Sequence, residues 1–136
     1  MDKNWIYYGI FFNNDVKNEL LNLAKKYVGI SDEWKTYCDH VTLVYNDGSE
    51  EKQQKAEHYE QFLGKQYTVI IDAIGVSDEA IALRVSNCKT QNKVSHVTIA
   101  TAPGVKPVKS NYIRTWYKIP DLFTATGTVN VVLKNI

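Results

Sequence analysis

Two tetrapeptides carry the residues best suited to chemistry, His40-Val41-Thr42-Leu43 and His96-Val97-Thr98-Ile99. Each runs histidine, apolar, threonine, apolar. A strand sends alternate side chains to opposite faces, so His40 and Thr42 share one face while Val41 and Leu43 take the other. His96 and Thr98 repeat the arrangement above Val97 and Ile99. Side by side, the two strands would set two imidazoles and two hydroxyls around one cleft. A histidine near its ordinary pKa accepts or donates a proton near neutral pH, so an opposed pair can serve as base and acid. One would take a proton from an attacking water or hydroxyl, and the other would protonate the leaving oxygen across the phosphorus. The threonine hydroxyls would hold the non-bridging oxygens. This set suits phosphoryl transfer and calls for no metal or cofactor.

The other polar residues make a second tier. Lys106 and Lys109 could meet a phosphate, and Tyr8, Tyr45, Tyr112 and Trp116 could stack on a base. His58 stands among Glu57, Glu60 and Gln61 and reads as a surface histidine on a helix. No HxxxH or CxxC spacing marks a metal site. Cys38 and Cys88 read as free or buried thiols rather than a disulfide.

Positioning the two motifs falls to an interleaved set of strands and helices. Residues 5–12 read as a buried strand, ended by Asn13-Asn14-Asp15, from which Asn13 or Asn14 caps a helix to about Val28. The loop 31–39 holds Trp34 and Tyr37 as anchors, and 40–45 is the first motif strand. Asn46-Asp47-Gly48 turns the chain, and Ser49 caps a second helix that Gly64 ends. Residues 67–76 and 80–85 form a hairpin, 94–101 is the second motif strand, and a short helical turn is expected near 110–114. Segments 116–119 and 125–133 read as two closing strands. The order predicts an α+β fold with largely antiparallel sheets, and the paired motif predicts two lobes about a central cleft.

At 136 residues the chain, 1–136, reads as one domain. A net charge of +1 argues against stable binding to duplex DNA, while a small or single-stranded nucleic acid remains an admissible substrate. No apolar run is long enough to span a membrane and no signal pattern opens the chain, so a cytoplasmic setting is expected. Protein partners stay open.

Paired H-x-T-hydrophobic motifs resemble the signature of the two-histidine (2H) phosphoesterases. The stretch from Ser95 to Asn111, with its Gly104-Val105-Lys106-Pro107 loop, is similar to the cyclic phosphodiesterase domain of plant and fungal tRNA ligases. The resemblance implies a two-lobed fold with helices outside, and hydrolysis of 2′,3′-cyclic phosphates on RNA ends or nucleotides to 2′-phosphates without metal. His40 and His96 would carry acid/base roles, and Thr42 and Thr98 the phosphate contacts. Tyr8, Tyr45, Lys106 and Trp116 are the expected substrate-binding residues. Which histidine is the base stays open. Two alternatives accompany this reading: destruction of cyclic nucleotide immune signals, as by some stand-alone phage relatives with Trp116 or Trp34 as a lid, and a non-catalytic RNA- or nucleotide-binding module.

Overall fold

In most strands apolar residues at alternate positions, and in the helices apolar residues at helical spacing, assign a buried face. The computed structural model describes residues 4–134. Its elements are β1 (Trp5–Phe11), α1 (Asn14–Tyr27), β2 (Lys35–Thr36), β3 (His40–Tyr45), α2 (Glu50–Glu60), β4 (Gln66–Val76), β5 (Ala80–Val85), β6 (His96–Thr101), a 3₁₀ helix (Pro107–Tyr112) and β7 (Trp116–Leu133). Both helix starts follow capping chemistry. The Val16 N–H donates to Asn13 Oδ1 at 3.0 Å, and the Lys52 N–H donates to Ser49 Oγ at 3.3 Å.

The strands run in the order β2-β6-β3-β1-β7-β4-β5, every pair antiparallel. Because β5 also pairs with β6, six of the strands close into a ring. The α+β class and antiparallel pairing match the expectation. The two lobes expected from the paired motif are hydrogen-bonded into one sheet, with β3 and β6 joined at the single pair Val41 and Val97. Val41, Leu43, Val97 and Ile99 are buried in one core, which also takes Leu20 and Ala24 of α1 and Ala56 of α2.

Several boundaries differ from the sequence reading: α2 ends at Glu60 rather than near Gly64, and β6 begins at His96 rather than Val94. The two closing strands are one, β7, because Ile119 to Leu122 bulge out opposite Asp72 while pairing with β4 resumes on either side. Pro120 lies in that bulge, where its missing N–H costs no ladder bond. The loop before β3 contains the two-residue strand β2, which pairs with the end of β6. The expected helical turn is a 3₁₀ helix starting three residues earlier, with Pro107 at its first position.

Candidate active site

β1 sends Tyr8 and Ile10 into the core, as Phe12 just beyond it also goes, leaving Tyr7, Gly9 and Phe11 on the other face. His40 and Thr42 of β3 share that outer face, with Phe11 opposite His40 and Gly9 opposite Thr42. Strict alternation would turn Tyr45 inward. Instead the register slips by one at Leu43, so that Tyr8 faces Val44 and Tyr7 faces Tyr45. Such a bulge returns an odd-numbered side chain to the even-numbered face. β6 does the same at Ile99, where Ala82 faces Thr98 and Ile81 faces Ala100.

Cys38, at φ 58°, holds the left-handed conformation uncommon for a non-glycine residue. Before it, the Tyr37 and Cys38 N–H groups bond Ile99 and Thr98 carbonyls of β6; after it, the Asp39 carbonyl accepts from Phe12 beside β1. From this point the chain has β1 as a second neighbour while Val41 keeps its pair with Val97 of β6, and a cleft of about 610 Å³ lies over both motifs. His40, Thr42, His96 and Thr98 all line it, as do Tyr45 and Lys106.

The two histidines are held differently. His40 lies against aromatic rings, 4.9 Å from Tyr7 and 5.2 Å from Phe11 between centroids, and its Nε2 is 3.1 Å from Thr42 Oγ1. Burial holds its pKa below the ordinary 6.5; Asp39 pulls it up, and His96 and Lys17 push it down. Asp39 is itself paired with Lys17 at 2.6 Å. His96, only 8% exposed, places Nδ1 2.8 Å from the Val94 carbonyl oxygen. A carbonyl can only accept, so Nδ1 carries the proton and Nε2 is the lone-pair nitrogen of the neutral ring. Burial also lowers the His96 pKa, opposed by that backbone bond.

Thr98 has a partner that sequence reasoning did not single out. Its Oγ1 donates to Ser110 Oγ at 2.9 Å, and Ser110 is buried on the inner side of the 3₁₀ helix. Asp39, Tyr7, Asn92 and Asn111 also line the cleft without having been anticipated. The position of Tyr7, sharing a face with Phe11 across from His40, was the available signal for one of these.

Of the expected substrate-binding residues, the structure brings Tyr45 and Lys106 to the cleft and leaves Tyr8 and Trp116 outside it. Tyr8 lies on the core side of β1, where its hydroxyl donates to Glu60 Oε2 at 2.7 Å. Trp116 lies across Gly75, packed with Ala80, Ala82 and Ile113. Trp34 packs against the core and is not a cleft residue. Both cysteines are free, and burial pushes the Cys38 thiol up to about 12, which keeps it protonated. Among the described residues no group of three or more His, Cys, Asp or Glu side chains is placed to hold a metal ion. No helix among them is long and apolar enough to cross a membrane.

Residues 23–133 match the family described as the fungal tRNA ligase phosphodiesterase domain. Among solved structures, the chain is similar to one described as the crystal structure of a fungal RNA kinase, with a TM-score of 0.69 and 16% identity. That likeness covers 98% of this chain and 46% of the other, so this chain spans less than half of that protein. At such identity it speaks for the fold alone. Comparison with curated proteins finds no significant match.

Proposed function

The chain belongs to the family of fungal tRNA ligase phosphodiesterase domains, and from that premise we propose that it opens 2′,3′-cyclic phosphates on RNA ends or nucleotides by two-histidine acid/base hydrolysis. The observation that carries this reading is the meeting of both His-x-Thr pairs in one cleft. Water attacks phosphorus in line with the 3′-oxygen, and the phosphorus–O3′ bond breaks, leaving a 2′-phosphate and a 3′-hydroxyl. His96 is the base: its proton is fixed on Nδ1 by Val94, so Nε2 takes the proton of the water. His40 then takes the acid role, giving a proton to the 3′-oxygen, with the Asp39 carboxylate partly offsetting the burial that disfavours its imidazolium. Thr42 donates to a non-bridging oxygen, and Thr98, whose one hydroxyl proton goes to Ser110 before substrate binds, does the same once the Ser110 hydroxyl rotates to donate to it instead.

The test is turnover in EDTA of 2′,3′-cyclic mononucleotides, a cyclic-phosphate-ended RNA and a panel of cyclic oligonucleotides, beside His40→Ala and His96→Ala. The expected result is EDTA-resistant release of a 2′-phosphate, assigned by phosphorus NMR and lost in both variants. Activity that survives either substitution, or that EDTA abolishes, would overturn the mechanism. Preference for a cyclic oligonucleotide would move the biology to signal destruction; neither Trp34 nor Trp116 lines the cleft to favour it. Affinity without turnover would leave a binding module.

A further inference from the structure

We propose that the outward face of the 3₁₀ helix is a platform for the single-stranded RNA that leads into the cleft, with Lys109 and Tyr112 holding the nucleotide before the terminal one. This rests on the functional reading above and adds to it a preference for oligomers over mononucleotides. A 3₁₀ helix has three residues per turn, so positions three apart stand above one another. Pro107, Ser110 and Ile113 form one row, of which Ser110 and Ile113 are buried against the sheet. Val108 and Asn111 form a second row, which lines the cleft. Lys106, at the N-cap, begins the third row, continued by Lys109 and Tyr112.

Three observations set that third row apart. Lys106 itself lines the cleft, so the row starts at the wall of the cavity that holds both His-x-Thr pairs. The Lys109 Nζ stands 5.6 Å from the Tyr112 ring centroid, which places cation and aromatic on one face. Tyr112 is 70% exposed, so its ring contributes little to the core. With a rise near 2.0 Å per residue the row extends roughly 12 Å along the helix from Lys106, several times the rise of one stacked nucleotide. It therefore reaches past the terminal nucleotide.

Charge points to the same partner. Between Pro103 and Pro120 the chain carries Lys106, Lys109, Arg114 and Lys118 and no carboxylate side chain, whereas α2 carries Glu50, Glu51, Glu57 and Glu60. The near-neutral total hides a basic, tyrosine-bearing segment whose 3₁₀ helix borders the cleft. Cations that follow a backbone beside an aromatic ring that accepts any base are what a single strand needs.

The experiment compares kcat/KM for 2′,3′-cyclic AMP with that for an RNA pentamer ending in a 2′,3′-cyclic phosphate. Wild type is expected to favour the pentamer roughly tenfold or more, as one stacked base and one phosphate contact would give. In the Lys109→Gln, Tyr112→Ala double variant the pentamer-to-mononucleotide ratio should fall by about that factor, and Tyr112→Trp should retain it. Added salt should erode the preference more steeply in wild type than in Lys109→Gln. Equal kcat/KM for both substrates in wild type, or a ratio unmoved by the double variant, would overturn the platform while leaving the hydrolytic reading intact. If neither substrate turns over, the hydrolytic reading fails. Fluorescence anisotropy with a labelled pentamer ending in a 3′-phosphate then decides the platform: weaker binding by the double variant sustains it, and unchanged binding overturns it.

Discussion

The half of the ring built on β3 and the half built on β6 share one plan and finish it differently. In each, the motif histidine and threonine face an adjacent strand in equivalent register, His40 with Phe11 and Thr42 with Gly9, His96 with Arg84 and Thr98 with Ala82. Each motif strand bulges at its fourth residue, Leu43 or Ile99. The first half leaves its outer face open, lined by Tyr7, His40 and Tyr45, with Tyr7 and Tyr45 stacked at 5.8 Å. The second half is covered: Ala80 and Ala82 are small enough for Ile113 and Trp116 to lie on them, which carries the 3₁₀ helix over the sheet. A repeated frame thus yields an open aromatic wall on one side and a polar clamp, Ser110 on Thr98, on the other.

The comparison is broken most directly at the histidines. If the halves are two arms of one reaction, His40→Ala and His96→Ala should each lower kcat about 10²- to 10⁴-fold. A variant that keeps wild-type kcat would mean that only one half does chemistry.

The covered half should be the less forgiving of added volume. A Cβ at Gly75 would come 2.6 Å from the Trp116 ring and 2.8 Å from Ile113. Gly75→Ala should therefore destabilise the protein by roughly 1–3 kcal/mol, seen as a lower midpoint in urea. An unchanged midpoint would show that Trp116 moves aside freely.

Ser110 tests the clamp. Removing its hydroxyl costs Thr98 one hydrogen bond of ordinary strength, about 1 kcal/mol, so Ser110→Ala should lower kcat roughly fivefold. Ser110→Thr, which keeps a hydroxyl, should recover part of the loss. A change confined to KM would make the clamp a matter of ground-state binding instead.

The smallest effect is in pH. Both histidines titrate below 6.5, so the base is ready in mild acid while the acid loses its proton as pH rises. The kcat/KM profile should be bell-shaped with its maximum on the acid side of 6.5. Asp39→Asn removes the group that raises the His40 pKa, so that ring should titrate lower still by NMR, with His96 less affected. A maximum above pH 7, or equal shifts at both rings, would contradict this difference between the halves.

The sequence by itself determined the motif strands and the faces of their first three residues, because alternation is a local property of an extended chain. It also determined the helix starts, through the side-chain caps at Asn13 and Ser49, and the turn that enters the 3₁₀ helix. At that turn the Val105 N–H donates to the Ala102 carbonyl around Pro103 and Gly104, with Gly104 at φ 78° as a type II turn requires. Tertiary structure alone decided which aromatics reach the cleft. Tyr45 arrives there because a slip at Leu43 reverses its face, and Tyr8 is excluded because β1, past its own irregularity at Ile6, alternates from Tyr7 onward with Tyr8 on the core side. Ser110 met Thr98 only once Ala80 and Ala82 let the 3₁₀ helix settle on β5. Bulges and close packing depend on the neighbouring strand, and no periodicity within a single segment records which neighbour that is.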